Sequence, residues 1–390
     1  MTKKRQEIYF DNSGTTQVIE PVADFAYQLM REEFGNPSAA YARGLKAEKL
    51  LAEARRRVAE TLDVNPAEIF FTSGGTESDN LALRGVMQAN RRRGKHLIVS
   101  AVEHPAVLNT AKALQDEGYE VDFLPVDANC QVDARNLQKL LRPDTVLVSV
   151  MLVNNEVGAV QPIAELAHVL KDAKSPALLH VDAVQGYGKM VVSAPKLGAD
   201  LLSVSGHKFH APKGTGFLYI RNGVHITPQL TGGGQEAGMR CGTENLPGIC
   251  ALGLAAKMAY DELDKRLDRV AEVRETLLNG LGDFPGWHLN SPEGALPNVV
   301  NISFEGVKSE VLLHMLEDEG LLVSAGSACA AKRDKLSHVL QAMGYDRRRI
   351  EGAIRFSFSY LNTVEEAERA AVIVKRQVNE LREVLQPKRR

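Results

Sequence analysis

Cysteine is scarce in this chain: Cys130, Cys241, Cys250 and Cys329 are the only four in 390 residues, and no two form a C-x-x-C pair. That is too few for a disulfide framework, and the paired spacing of a structural zinc site is missing. Long apolar runs are missing too. No stretch approaches the about 18 consecutive apolar residues of a membrane helix, and Met1-Thr2-Lys3-Lys4-Arg5 leads into no apolar signal core, so a cytoplasmic protein is expected. Charge of one sign is not in excess. Forty-seven Lys and Arg face 49 Asp and Glu, a formal net charge of -2, and no overall field favours nucleic acid or an anionic membrane. The basic runs Arg91-Arg92-Arg93 and Lys388-Arg389-Arg390 read as a solvated helix end and a tail. No G-x-G-x-x-G follows a candidate strand, which removes the dinucleotide fingerprint, and neither internal repeats nor a low-complexity linker occur.

What is present is an ordinary globular balance, 44% apolar and 25% charged residues, in a chain too long for one compact core to be the default. Between about 45 and 220 helix-like and strand-like patterns alternate. A helix is expected over 47–62, with Leu50, Leu51, Ala54 and Val58 on one face, and others over 79–87, 107–117 and 163–170. Short apolar runs at 69–71, 97–99, 121–124, 145–153, 178–184, 201–204 and 217–220 read as strands. This alternation argues for an α/β fold with a mostly parallel sheet covered on both faces, where ligands sit beyond the carboxyl ends of the strands. Past 260 the texture changes. A charged helix over 261–278 with Gly280 as its stop signal, strands at 299–304, 321–323 and 354–358, and helices over 309–319 and 364–384 suggest a smaller α+β domain joined by part of the N-terminus.

Candidate chemistry gathers just past those strands. Ser205-Gly206-His207-Lys208 follows the run at 201–204, with Pro212-Lys213-Gly214-Thr215-Gly216 close behind. A lysine there could be a plain solvated charge. Beside small residues and phosphate-binding groups it meets the requirement for a Schiff base with pyridoxal phosphate. Thr72-Ser73-Gly74-Gly75-Thr76-Glu77-Ser78 opens a helix after a strand, so it is either a plain helix cap or an anion cradle of backbone N–H groups. His180-Val181-Asp182-Ala183-Val184-Gln185 puts a carboxylate at the sheet mouth, where it can pair with a pyridinium nitrogen, and an amide three residues on. Glu103-His104-Pro105 and Asn154-Asn155-Glu156 fall at two further strand ends.

Together these stretches resemble the fold-type I, class V pyridoxal-phosphate enzymes, and among them the cysteine desulfurases. Asp11-Asn12-Ser13-Gly14-Thr15-Thr16, Phe34-Gly35-Asn36-Pro37-Ser38, Gly232-Gly233-Gly234-Gln235-Glu236 and Arg240-Cys241-Gly242-Thr243-Glu244-Asn245 look like that family's signatures, and the likeness spans nearly the whole chain. Ser324-Ala325-Gly326-Ser327-Ala328-Cys329 resembles the G-S-A-C motif of the nitrogenase-linked and housekeeping iron–sulfur group. The resemblance implies a large domain over 15–260 with a mostly parallel seven-stranded sheet, and a small domain from 1–14 and 261–390 carrying the cysteine loop.

By the same resemblance, Lys208 would carry the cofactor, Asp182 would face its ring nitrogen, and Gln185 its phenolate oxygen. His104 would stack on the ring and assist proton transfer. Gly75, Thr76, Ser205 and His207 would hold the phosphate, and Thr243 would reach the phosphate of a neighbouring subunit in a homodimer. Asn155 and Arg355 would hold the substrate carboxylate, a task suited to the planar guanidinium fork. L-cysteine would become alanine while its sulfur stays on Cys329 as a persulfide. An acceptor protein, an iron–sulfur scaffold or a tRNA-thiolating enzyme, would then receive it. After Cys329, Ala330-Ala331-Lys332 replaces the small hydroxyl residues of many relatives, which bears on the acceptor. A selenocysteine lyase or a class V aminotransferase would use many of the same parts. A non-catalytic sulfur-relay scaffold would have no need of Lys208, Asp182, His104 and Arg355 together.

Overall fold

Aliphatic and β-branched runs bounded by glycine and polar residues form the strands of the computed structural model, which describes residues 7–325 and 336–385. In chain order they are β1 (Ile8–Tyr9), β2 (Ile69–Thr72), β3 (His96–Ser100), β4 (Glu120–Leu124), β5 (Thr145–Ser149), β6 (Leu178–Asp182), β7 (Leu201–Ser205), β8 (Gly216–Ile220), β9 (Trp287–Leu289), β10 (Val299–Phe304), β11 (Leu321–Leu322) and β12 (Ala353–Ser357). Seven of them form one sheet in the order β2-β8-β7-β6-β5-β3-β4. The pairs β3–β4, β3–β5, β5–β6 and β6–β7 are parallel, and β8 runs antiparallel to both its neighbours. This is the mostly parallel seven-stranded α/β sheet the resemblance implies.

Both faces of that sheet are buried, which is why its strands are almost continuously apolar. In β3, Ile98 enters one core while Leu97 and Val99 enter the other. In β7, Leu202 and Val204 point one way and Leu201 the opposite way, the period-2 alternation of a pleated strand. The helices Ala42–Leu62 and Leu246–Asp261 cover one face, and Gly75–Ala89 with Pro105–Asp116 cover the other. Leu246–Asp261 has no counterpart among the helices expected from the sequence. Its run Leu246-Pro247-Gly248-Ile249-Cys250-Ala251-Leu252-Gly253-Leu254-Ala255-Ala256 is apolar all round, without a stripe to mark it, because it is packed on several sides.

A second core joins Ile8 and Phe10 to β10, β12 and the helices Leu263–Leu281, Ser309–Asp318 and Val364–Leu385. β9, β10 and β12 form an antiparallel sheet, while β1 pairs in parallel with β11, so the chain's first described strand lies with its last third. A third set, including Val102, Met151 and Val157 from one side and Val339, Leu340 and Met343 from the other, stitches the two together. Some limits move. The strand expected over 145–153 ends at Ser149, and the helix expected from 79 begins at Gly75. Gly280 does not stop its helix. The turn comes at Gly282 (φ 41°), and Gly280 lies inside, where an added Cβ would come within 2.6 Å of Ala371 Cβ on the closing helix.

Candidate active site

The parallel strands run the same way, and the chain reverses its direction of travel across the sheet between β3 and β5. Residues just past β3, β5, β6 and β7 therefore converge at one end, the place where open α/β sheets leave a crevice. A cleft of about 230 Å³ opens there. Gly75, Thr76, His104, Asn155, Asp182, Gln185, Ser205, His207, Lys208 and Arg355 all line it. Thr243 does not. It is exposed on the stretch after Arg240, whose guanidinium pairs with Glu77 at 2.8 Å and so ties that stretch to the start of the helix Gly75–Ala89. Cys329 lies outside the described residues.

Lys208 ends a short 3₁₀ turn directly after β7, and its Nζ donates to the carbonyl oxygens of Ser13 (2.6 Å) and Gly14 (2.8 Å). Burial, and then the neighbouring Arg355 charge, bring its amine down to about 8. Asp182 closes β6, where its Oδ1 accepts from the Val184 N–H at 2.9 Å; burial raises its carboxyl above the usual range. His104 caps the helix Pro105–Asp116. Its Nδ1 accepts from the Ala106 N–H at 3.1 Å, so the neutral ring carries its proton on Nε2. Burial, Lys208 and His338 lower this imidazole to about 4, which keeps the ring neutral.

The helix Gly75–Ala89 begins at Gly74 with no side-chain cap, so its leading N–H groups and positive dipole end open beside Thr76, Ser205 and His207. An added Cβ at Gly75 would sit 2.8 Å from Val184 Cγ2, so the backbone presses close to the cleft wall. Arg355, 2% exposed, projects from β12. It pairs with Asp11 at 2.7 Å and donates to the Asn155 carbonyl at 3.0 Å, and among the described residues its buried Nε has no hydrogen-bond partner. An anion cradle, an amine, a carboxylate and a guanidinium lining one cleft suit pyridoxal phosphate bearing an amino acid. The residues present fit that cofactor.

Three buried residues near the cleft carry no role in the reading of the sequence. His180 does not line the cleft. It is fully buried, with its ring nitrogens 2.8 Å from Ser149 Oγ and 2.9 Å from Ser203 Oγ, and it laces β5, β6 and β7 together. Asp79, which no strand-end pattern marks, does line the cleft. It is 1% exposed, its Oδ1 lies 3.6 Å from His180 Nε2 and among the described residues has no hydrogen-bond partner, and burial with the Asp182 charge raises its carboxyl. An acidic residue on the buried side of an amphipathic helix is the signal that could have found it. Lys189, seven residues after Asp182, is also buried against Gln185.

Residues 8–370 match the family model for aminotransferase class-V. A cysteine desulfurase IscS from Methanosarcina thermophila is 43% identical over 383 residues, which cover 98% of this chain and 94% of the relative. A cysteine desulfurase IscS from Dictyoglomus turgidum is 40% identical, with 97% of this chain and 96% of the relative covered. Among solved structures, a NifS-like protein superposes with a TM-score of 0.91 at 40% identity, covering 96% of this chain and all of the other (100%). SspA, solved in complex with cysteine, gives 0.81 at 33% identity over 90% of this chain and 99% of its own.

Proposed function

The chain belongs to the class V aminotransferase family and is a cysteine desulfurase, and from that premise we propose that Lys208 carries pyridoxal phosphate and that Cys329 takes the sulfur. The observation behind this reading is the meeting of Lys208, Asp182, His104 and Arg355 in one cleft with an uncapped helix start.

When bound, pyridoxal phosphate supplies a ring that draws electron density away from the α-carbon of an attached amino acid. Gly75 and Thr76, with the helix start behind them, hold the phosphate together with Ser205 and His207. Asp182 pairs with the ring nitrogen and Gln185 donates to the ring oxygen. The Arg355 guanidinium, held by Asp11 on one arm, meets the carboxylate of L-cysteine, and Asn155 lies alongside. Lys208 titrates near 8, so its amine is close enough to neutral to remove the α-proton. His104 stacks on the ring and can offer the proton on Nε2.

The Cys329 thiolate attacks the sulfur of the substrate. A sulfur–sulfur bond forms, the carbon–sulfur bond breaks, and its electron pair stays with the β-carbon, which is protonated on the way to alanine. Cysteine and one thiol thus become alanine and one persulfide, with no outside oxidant. The other thiols are poor candidates: Cys130, Cys241 and Cys250 are buried, none lines the cleft, and burial raises the thiols of Cys130 and Cys250.

The persulfide then passes to an acceptor protein, an iron–sulfur scaffold or a tRNA-thiolating enzyme, in the cytoplasm. Thr243 completes the phosphate site of a neighbouring subunit, making the working unit a homodimer. Residues 15–260 and residues 1–14 with 261–390 serve as its large and small domains. The reading is tested by incubating the protein with L-cysteine, pyridoxal phosphate and a thiol reductant, with Cys329→Ala alongside. Equal alanine and sulfide from the parent, both lost in the variant, are expected. Sulfide persisting at the parent rate in Cys329→Ala would overturn it.

A further inference from the structure

Lys189 is buried (8% exposed), and among the described residues no carboxylate pairs with it. Its Nζ donates to Gln185 Oε1 at 2.8 Å. The other end of that amide, Gln185 Nε2, donates to the Ser13 carbonyl at 3.1 Å, and the same carbonyl accepts from Lys208 Nζ at 2.6 Å. Gln185 and Lys189 meet because the chain winds tightly after β6. The Ala183 carbonyl accepts from the Gly186 and Tyr187 N–H groups, and Lys189 N–H donates to the Gly186 carbonyl.

We propose that Lys189 is a positioning residue that sets the orientation of the Gln185 amide toward the cofactor. A side-chain amide has a donor end and an acceptor end of nearly the same shape, so packing alone does not choose between them. Here the choice is made at both ends. Lys189 supplies a donor to Oε1, and the Ser13 carbonyl, which can only accept, takes one of the two Nε2 hydrogens. The second Nε2 hydrogen is left for the cleft, which Gln185 lines and Lys189 does not. Burial, followed by the charges of Lys208 and Arg355, brings the Lys189 amine down to about 7, and it remains a donor on either side of that value.

This inference rests on the reading that Gln185 faces pyridoxal phosphate carried by Lys208. It is tested on the loaded protein with Lys189→Met, Gln185→Leu and the double variant, reading the visible absorption maximum of the bound cofactor and its dissociation constant. Each single variant is expected to shift the band and weaken binding by roughly five- to tenfold, the scale of one buried hydrogen bond. The double variant should do no worse than the weaker single, because both changes break one interaction. An unshifted band in Lys189→Met, or additive losses, would overturn the proposal. Unfolding midpoints control for folding. Should the Met variant not fold, Lys189→Gln, one bond too short to reach Gln185, reads the same coupling. A parent that forms no borohydride-reducible link between pyridoxal phosphate and Lys208 would instead overturn the reading beneath it.

Discussion

Lys208 sits buried beside the Arg355 guanidinium, with two backbone carbonyls for partners. Its depressed pKa has a direct consequence, since only the free amine captures an aldehyde. The rate at which the unloaded protein takes up pyridoxal phosphate at Lys208 is expected to climb about tenfold from pH 7 to 9 and then level off. A rate still rising steeply past pH 10 would mean an unperturbed lysine. Glu103, beside His104, makes the opposite case. It accepts from Ser100 Oγ and Met151 N–H, both at 2.6 Å, and burial followed by the Asp182 charge raises its carboxyl to about 8. A folded-state pKa above the unfolded one gives stability that is complete below about 4.5 and lost as pH rises through 8. Glu103→Gln keeps an acceptor and removes the charge. Its stability in urea should therefore gain on the parent between pH 5 and 9, by on the order of a few kcal/mol. A constant difference across that range would show that Glu103 is not titrating there.

Elements rather than single residues decide what meets in the cleft. Four strand ends deliver His104, Asn155, Asp182 and Lys208, and one helix start delivers Gly75 and Thr76. β8 allows that helix start to come close, because an added Cβ at Gly216 would lie 2.5 Å from the Val204 carbonyl oxygen and 2.6 Å from Gly74 Cα. Both are backbone atoms with little room to move. Gly216→Ala is expected to weaken pyridoxal phosphate binding more than tenfold by pushing the cradle out of place, and equilibrium dialysis would read it. Unchanged binding would mean that the cradle tolerates the shift. This level is the most legible in the sequence. Parallel strands buried on both faces are short apolar runs, and the polar residues at or shortly after their ends include Asp182, Lys208 and His104. Two kinds of feature stay hidden. The helix Leu246–Asp261 has no amphipathic stripe to declare it, and the pairing of Lys189 with Gln185 depends on a turn that local patterns do not specify.

At the scale of the whole molecule, β1 and the stretch to Gly14 cross from the second core to the cleft, where Ser13 and Gly14 receive Lys208 and Asp11 holds Arg355. The two cores therefore share one site. Thr243, exposed and away from the cleft of its own chain, carries a further expectation. If it serves a neighbouring subunit, Lys208→Ala and Thr243→Ala proteins unfolded together and refolded should regain about a quarter of the parent's working sites, since half of randomly paired symmetric dimers would hold one intact site. No recovery above the separate variants would place Thr243 outside the site.

The fate of the sulfur distinguishes a persulfide enzyme from its alternatives. The most direct measurement is a single turnover of the loaded protein with L-cysteine and no reductant, followed by mass spectrometry of the peptide containing Cys329. One added sulfur atom on Cys329 is expected, matched by one alanine released per site and removed by a thiol reductant. Alanine released in full while Cys329 stays unmodified, with the sulfur free or on Cys130, Cys241 or Cys250, would contradict it.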